Sequence, residues 1–262
     1  MSRRTHPALL ALAALVFAFL LGPLVIIVGA SLSDTSYLTF PPDGLTLRWF
    51  GNIWDVSAFR RTFATSLTLA VGGTALSLLM GVPAAYALAR YRVALPAFLG
   101  NVFILPILIP EIVLGFSLMK SLATGMGLPI MAALLVGHAL LVLPYCVRVT
   151  SASLAGFDFS IEEAAVSLGC PRWRAFFTVV LPNIRAGIVA AFILAFITSL
   201  NDVSVSIFLT GPGVSTLPIQ MLAHMEQFFD PTIAAVSVLL MLVTVAVMAG
   251  VELTLGLTFL TK

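Results

Sequence analysis

From residue 160 the chain reads Ser160-Ile161-Glu162-Glu163-Ala164-Ala165-Val166-Ser167-Leu168-Gly169-Cys170-Pro171, and ten positions further on it reaches Leu181-Pro182. Ser160 and Glu163 have the spacing of a capping box, with Ser160 at the N-cap and Glu163 at the third helical position. Ala164, Ala165 and Leu168 continue a helical face begun by Ile161, and Gly169 supplies a left-handed stop. Pro171 suits the first position of a second helix running through Trp173, Phe176 and Phe177 to Leu181-Pro182. A two-turn helix is marginal alone, so its small, Ala-rich face calls for a docking surface. What this polar elbow interrupts decides the fold.

On both sides of it the chain is apolar. Sixty per cent of its 262 residues are hydrophobic, and the charged ones are thirteen Lys and Arg with eleven Asp and Glu. A soluble domain carries about a quarter charged residues, so a water-facing surface could hardly be built. Apolar runs of about 20 residues, enough to cross a bilayer, recur at residues 8–30, 63–89, 97–119, 130–150, 184–208 and 232–257. The expectation is an all-α membrane protein of about six transmembrane helices. No internal repeat or low-complexity linker divides it, so residues 1–262 read as a single transmembrane domain with its elbow at about 158–182.

Arg3 and Arg4 before the first apolar run resemble the start of a secretory signal. Signal cores are about 7–15 residues long, and this run is longer, so it reads as the first span. Positive loops stay in the cytoplasm. With the N-terminus inside, Arg3, Arg4, Arg90, Arg92, Arg148, Arg172, Arg174, Arg185 and Lys262 are cytoplasmic, against Arg48, Arg60, Arg61 and Lys120 outside. Both termini and the 158–182 elbow are therefore expected in the cytoplasm. On the outer side, Trp49, Phe50, Trp54 and Phe59 predict a short interfacial helix. The connection from Thr210 to Pro231 reads either as a short re-entrant helix or as a surface for a binding protein.

The composition excludes several functions. The dispersed basic residues give no footprint for nucleic acid. Cys146 and Cys170 fit neither a disulfide framework nor a metal site. The chain lacks the G-x-x-x-x-G-K-[ST] phosphate loop, so it is not itself an ATPase, and no nucleophile or metal cluster marks an enzyme. Glu111, Asp202 and Glu252 stand within apolar runs, where carboxylates are expensive and face a cavity or a partner. Glu111 and Asp202 come out at similar depth in the outer half, so with Asn201 they are the candidate lining of a translocation path. Pro106 and Pro110 would free carbonyls there. Glu252 is expected to snorkel or pair locally. His138, with no His or carboxylate at i+3 or i+4, reads as a hydrogen-bonded packing residue. A secondary transporter using Glu111 and Asp202 as ion sites is the alternative reading.

Glu163-Ala164-Ala165, Gly169 and Leu181-Pro182 resemble the EAA loop of binding-protein-dependent ABC importer permeases, with Val179 where that family usually has Ile. The motifs Leu105-Pro106, Pro110 to Gly115, Ser199 to Val203, Phe208 to Pro212 and Asp230-Pro231 are similar to the spermidine/putrescine-type branch. That branch often has two acidic residues where this chain has Asn201-Asp202. The resemblance implies a type I importer permease fold, with Glu162, Glu163, Ala164, Ala165, Leu168 and Gly169 coupling to the ATPase. It further implies two ATP-binding cassette subunits holding ATP and Mg, a second homologous permease, an extracytoplasmic solute-binding protein, no cofactor on this chain, and a small organic amine as cargo.

Overall fold

The computed structural model describes residues 7–91, 102–103 and 105–255. Arg3, Arg4, Arg92 and Lys262 lie outside them, as does the side chain of Glu252. The described chain is helical: α1 (Pro7–Ser31), α2 (Arg48–Asp55), α3 (Ser57–Arg90), α4 (Leu105–Leu108), α5 (Glu111–Leu118), α6 (Ile130–Ala155), α7 (Ser160–Ser167), α8 (Arg172–Ala175), α9 (Leu181–Asn183), α10 (Arg185–Leu200), α11 (Leu217–Gln227) and α12 (Thr232–Leu255).

Among the described residues four helices are long and apolar enough to cross a bilayer: residues 8–31 of α1, α3, α6 and residues 232–251 of α12. A fifth arises if the Arg172–Asn183 stretch and α10, bent by 73° from each other, count as one span. The third expected run, 97–119, is broken. Its described part is α4, then α5 from Pro110 at the N-cap, continued by a wide π-type stretch at Met119–Gly125. Pro110 explains the break between α4 and α5, since it donates no backbone N–H and biases Ile109 before it away from helix. Pro106 lies in the first turn of α4, where a missing N–H is tolerated. The fifth run, 184–208, ends as a helix at Leu200; Asn201 and Asp202 interrupt it before a short 3₁₀ turn at Ser206–Phe208.

The chain forms two compact units. One comprises the residues up to Arg60 together with Gln220–Val245. In it the apolar side chains of α1 are exposed, Phe19 at 79%, the surface that a bilayer would cover. The predicted interfacial helix is α2, whose Trp49 and Ile53 are buried while Trp54 is exposed. Trp49 Nε1 donates to the Ser33 carbonyl at 2.8 Å, Arg48 pairs with Asp34 at 3.3 Å, and Asn52 Nδ2 donates to Thr232 Oγ1 at 3.0 Å. In the same unit His224 pairs with Asp230 at 3.2 Å.

The other unit, Arg61–Ile219 with Ala246–Lys262, contains the candidate sites. Its main core gathers Leu69 of α3, Leu134, Val142 and Cys146 of α6, Ala195 of α10, and Val205 and Leu209. A second cluster joins Ala85, Leu143, Val147 and Leu154 to Val180 and Ile184, seating the elbow on the ends of α3 and α6. Ser77 Oγ donates to the Ala139 carbonyl at 2.5 Å, tying α3 to α6. The 210–231 connection is a tight turn at Gly211–Val214 followed by α11.

Candidate functional site: a latched elbow helix and a buried polar cluster

The elbow folds at the predicted place through different contacts. Ser160 is the first residue of α7, not its cap; its N–H is accepted by Asp158 Oδ1 at 2.9 Å. That bond, and a second from the Ser160 hydroxyl, hold the exposed Asp158 carboxyl below its usual range. The capping box does not close, because Arg90 draws Glu163 away: its Nη2 donates to Glu163 Oε1 at 2.8 Å. Both partners of this bond are charged, whereas the capping bond it replaces would join the carboxylate to a neutral backbone N–H.

The C-terminal stop is as expected. Gly169 has φ +93°, Cys170 N donates to the Ala165 carbonyl at 3.1 Å, and Gly169 N donates to that of Val166 at 2.9 Å. These are the two bonds of a Schellman motif. Pro171 is the residue before α8 rather than its first position, a shift of one.

Glu162 is the deep member of the pair. Its side chain is 3% exposed, against 61% for Glu163. Tyr86 Oη donates to Glu162 Oε1 at 2.5 Å, and Arg90 Nε lies 3.3 Å from Oε2. The Tyr86 ring packs at 4.8 Å from Phe176 and 6.3 Å from Phe159, and the Arg90 guanidinium sits 5.5 Å from the Phe159 ring centre. A buried carboxylate persists only with such partners. The other face of α7 is open: Ile161 is 48% and Leu168 90% exposed, Glu163, Ala164 and Gly169 are exposed, and Ala165 is half-buried.

The second site is polar and internal. His138 Nδ1 lies 2.7 Å from Ser199 Oγ, and its Nε2 lies 3.1 Å from Ser206 Oγ. Ser206 Oγ donates to Asp202 Oδ2 at 2.7 Å, Ser206 N donates to the same oxygen at 2.8 Å, and Val205 N donates to Oδ1 at 3.2 Å. Asp202 therefore caps the chain where α10 breaks. His138 is the hydrogen-bonded packing residue that was expected, its partners coming from the α10 side and not from its own helix.

The structure does not pair Glu111 with Asp202. Glu111 is exposed in the first turn of α5, where a carboxylate suits the helix dipole, whereas both Asp202 oxygens are engaged within their own turn. Asn201 is exposed, and its Nδ2 donates to the Ile197 carbonyl at 2.9 Å, closing the end of α10. Tyr86, Arg90, Ser199 and Ser206 escaped sequence reasoning as site residues. Arg90 stood out only as an orienting charge, and each of the others sits in an apolar run with its partner on a different element.

The family of "Binding-protein-dependent transport system inner membrane component" proteins matches residues 73–253. Similar proteins include the Putrescine transport system permease protein PotI of Escherichia coli (strain K12), 30% identical over 233 residues, covering 86% of this chain and 82% of that one. The Spermidine/putrescine transport system permease protein PotC of the same strain is 27% identical over 239 residues, covering 91% and 90%. Among solved structures, a bacterial ABC transporter involved in the import of the acidic polysaccharide alginate superposes with a TM-score of 0.68 at 18% identity, over 97% of this chain and 98% of that one. At that identity the likeness concerns the fold.

Proposed function

The chain belongs to the family of binding-protein-dependent transport system inner membrane components and has the type I ABC importer permease fold; from that membership we propose that it carries a small organic amine inward. It is a multi-pass inner-membrane permease subunit of an ATP-driven importer. The cargo is a polyamine or a related amine, opine or amino-acid derivative, a reading supported by the putrescine and spermidine permeases that it resembles.

The observation that carries the mechanism is the open face of α7. A short helix latched to its own chain on one side exposes Leu168 and Ile161 on the other, which is the form a docking helix needs. An ATP-binding cassette subunit takes that face, with Glu163, Ala164, Ala165, Leu168 and Gly169 at the contact; Glu162, expected there from the sequence, is buried on the latched side and supports the face from behind. Two such subunits hold ATP and Mg, a second homologous permease completes the pore, and an extracytoplasmic solute-binding protein delivers the cargo. Both termini and α7 are cytoplasmic. Closure of the ATPase pair moves α7, and the single permease domain alternates between outward- and inward-open states. Glu111 and Asn201, both exposed, are the lining offered to the cargo, while Asp202 is buried and holds the end of α10.

The test is uptake by proteoliposomes holding the complete transporter. Putrescine accumulation should require internal ATP and the binding protein. Accumulation driven by an ion gradient without ATP would replace this reading with a secondary transporter.

A further inference from the structure

We propose that Tyr86 and Arg90 are positioning residues which fuse α7 to the end of α3, so that these two elements move as one lever. The inference rests on the docking role proposed for α7, and deepens it by naming the joint through which force enters the spans.

The ends of α7 are fixed locally, by Asp158 at the entry and by the Gly169 stop at the exit, but local caps do not set the direction of an eight-residue helix. Direction comes from contacts far away in sequence. Tyr86 and Glu162 are 76 residues apart, Arg90 and Glu163 73. Both long-range bonds start from the last turn and a half of α3. One ends on a carboxylate that is 3% exposed, the other on its exposed neighbour. Removing one partner of a buried charge leaves the charge uncompensated, so the Glu162 joint resists slipping. Phe159 and Phe176 pack against the Tyr86 ring, which restricts its swing. A push on Ile161 and Leu168 therefore reaches α3 through Glu162, and α3 is a 34-residue helix.

The test uses the complete transporter with Tyr86→Phe, Arg90→Gln, the double variant and Arg90→Lys. The expected result is retained assembly and basal ATP hydrolysis, with putrescine carried per ATP falling by about fivefold in each single variant. The double variant should fall by less than the product of the two, because both changes release Glu162. Arg90→Lys, which keeps the charge, should recover part of the ratio. An unchanged ratio, or independent losses that multiply, would overturn the joint.

A second arm needs no cargo and so separates this inference from the amine reading. Nitroxides replace exposed Leu79 on α3 and Ser160 on α7 in a background lacking Cys146 and Cys170. With Tyr86 and Arg90 intact, their separation should be narrow and unmoved by ATP; with Arg90→Gln it should broaden. A shift on ATP binding in the otherwise unaltered chain would show that α7 and α3 move independently, whatever the transporter carries.

Discussion

His138 and Asp202 approach to 3.9 Å between Nε2 and Oδ2, and the Ser206 hydroxyl sits between them, 3.1 Å from the imidazole and 2.7 Å from the carboxylate. Both side chains are almost wholly buried, at 1% and 2% exposure. The carboxylate thus has structural work of its own at the point where α10 ends, and it links that break to α6. A cavity-facing role for this acidic group would be added to the architecture, not substituted for it.

Asp202→Asn should therefore lower the stability of the purified chain as well as transport. The carboxylate accepts three donors, while an amide turns an N–H₂ toward one of them. The cost expected for a buried unsatisfied group is about 1–3 kcal/mol. Thermal unfolding in detergent reads it directly. Ser206→Ala, which keeps the two backbone bonds, should cost less. An unaltered melting temperature for Asp202→Asn would show that the turn does not depend on the charge.

Glu111→Gln should behave in the opposite way. The side chain is exposed and makes no bond that the fold needs, so the melting temperature should stay within about 0.5 kcal/mol equivalent of the parent. Putrescine uptake should fall if this carboxylate faces a cationic cargo. Undiminished uptake at matched protein level removes Glu111 from the path.

The contrast between these two acids marks what the sequence discloses. The apolar runs, the elbow and its Gly169 stop were legible because each is local: hydropathy over a span, a cap residue, a left-handed exit. The two broken runs were only half legible. Pro110 gave notice of the first, but Asn201-Asp202 looked like polar residues within a span when they are its interruption. The site contacts were not legible. Glu163 fits a capping box by spacing, yet Arg90, 73 residues away, takes it. His138 lacked a partner on its own helix, and found Ser199 and Ser206 on either side of the α10 break. Long-range pairing between different elements leaves no period in a single sequence.

Glu163→Lys and Gly169→Asp should each leave membrane insertion intact and abolish binding-protein-stimulated ATP hydrolysis. The first places a cation against Arg90 at the edge of the open face. The second forces a side chain into φ +93°, where a non-glycine residue costs about 1–2 kcal/mol, and so splays the exit of α7. Stimulated hydrolysis at the parental rate in both variants, at equal protein level, would show that this face is not the one the ATPase reads.

Reporter fusions test the orientation. Fusions after Asp34 and Gly211 should report the outside, and fusions after Arg92 and Pro171 the cytoplasm. An outside signal at Pro171 would place α7 out of reach of any ATPase.

Gly187→Ala should destabilise the chain at the bend that leads into α10. A Cβ built on Gly187 would stand 2.3 Å from Ser153 Cβ and 2.5 Å from its Oγ, closer than non-bonded atoms approach. Ser153 Cβ is attached directly to the α6 backbone, so no rotamer change removes the clash, and the start of α10 must move off the end of α6. Overpacking of this kind costs about 1–3 kcal/mol. Gly250→Ala is the control: a Cβ added there meets nothing within 4 Å beyond its chain neighbours and its own helix backbone, and alanine favours a helix interior by about 0.5–1 kcal/mol. Melting temperature in detergent should therefore fall for the first and hold or rise for the second. Adding Ser153→Gly to Gly187→Ala removes the clashing Cβ and Oγ and should restore most of the loss, a coupling that independent sites would not show. If Ser153→Gly only adds its own penalty, the two helices do not meet at this pair.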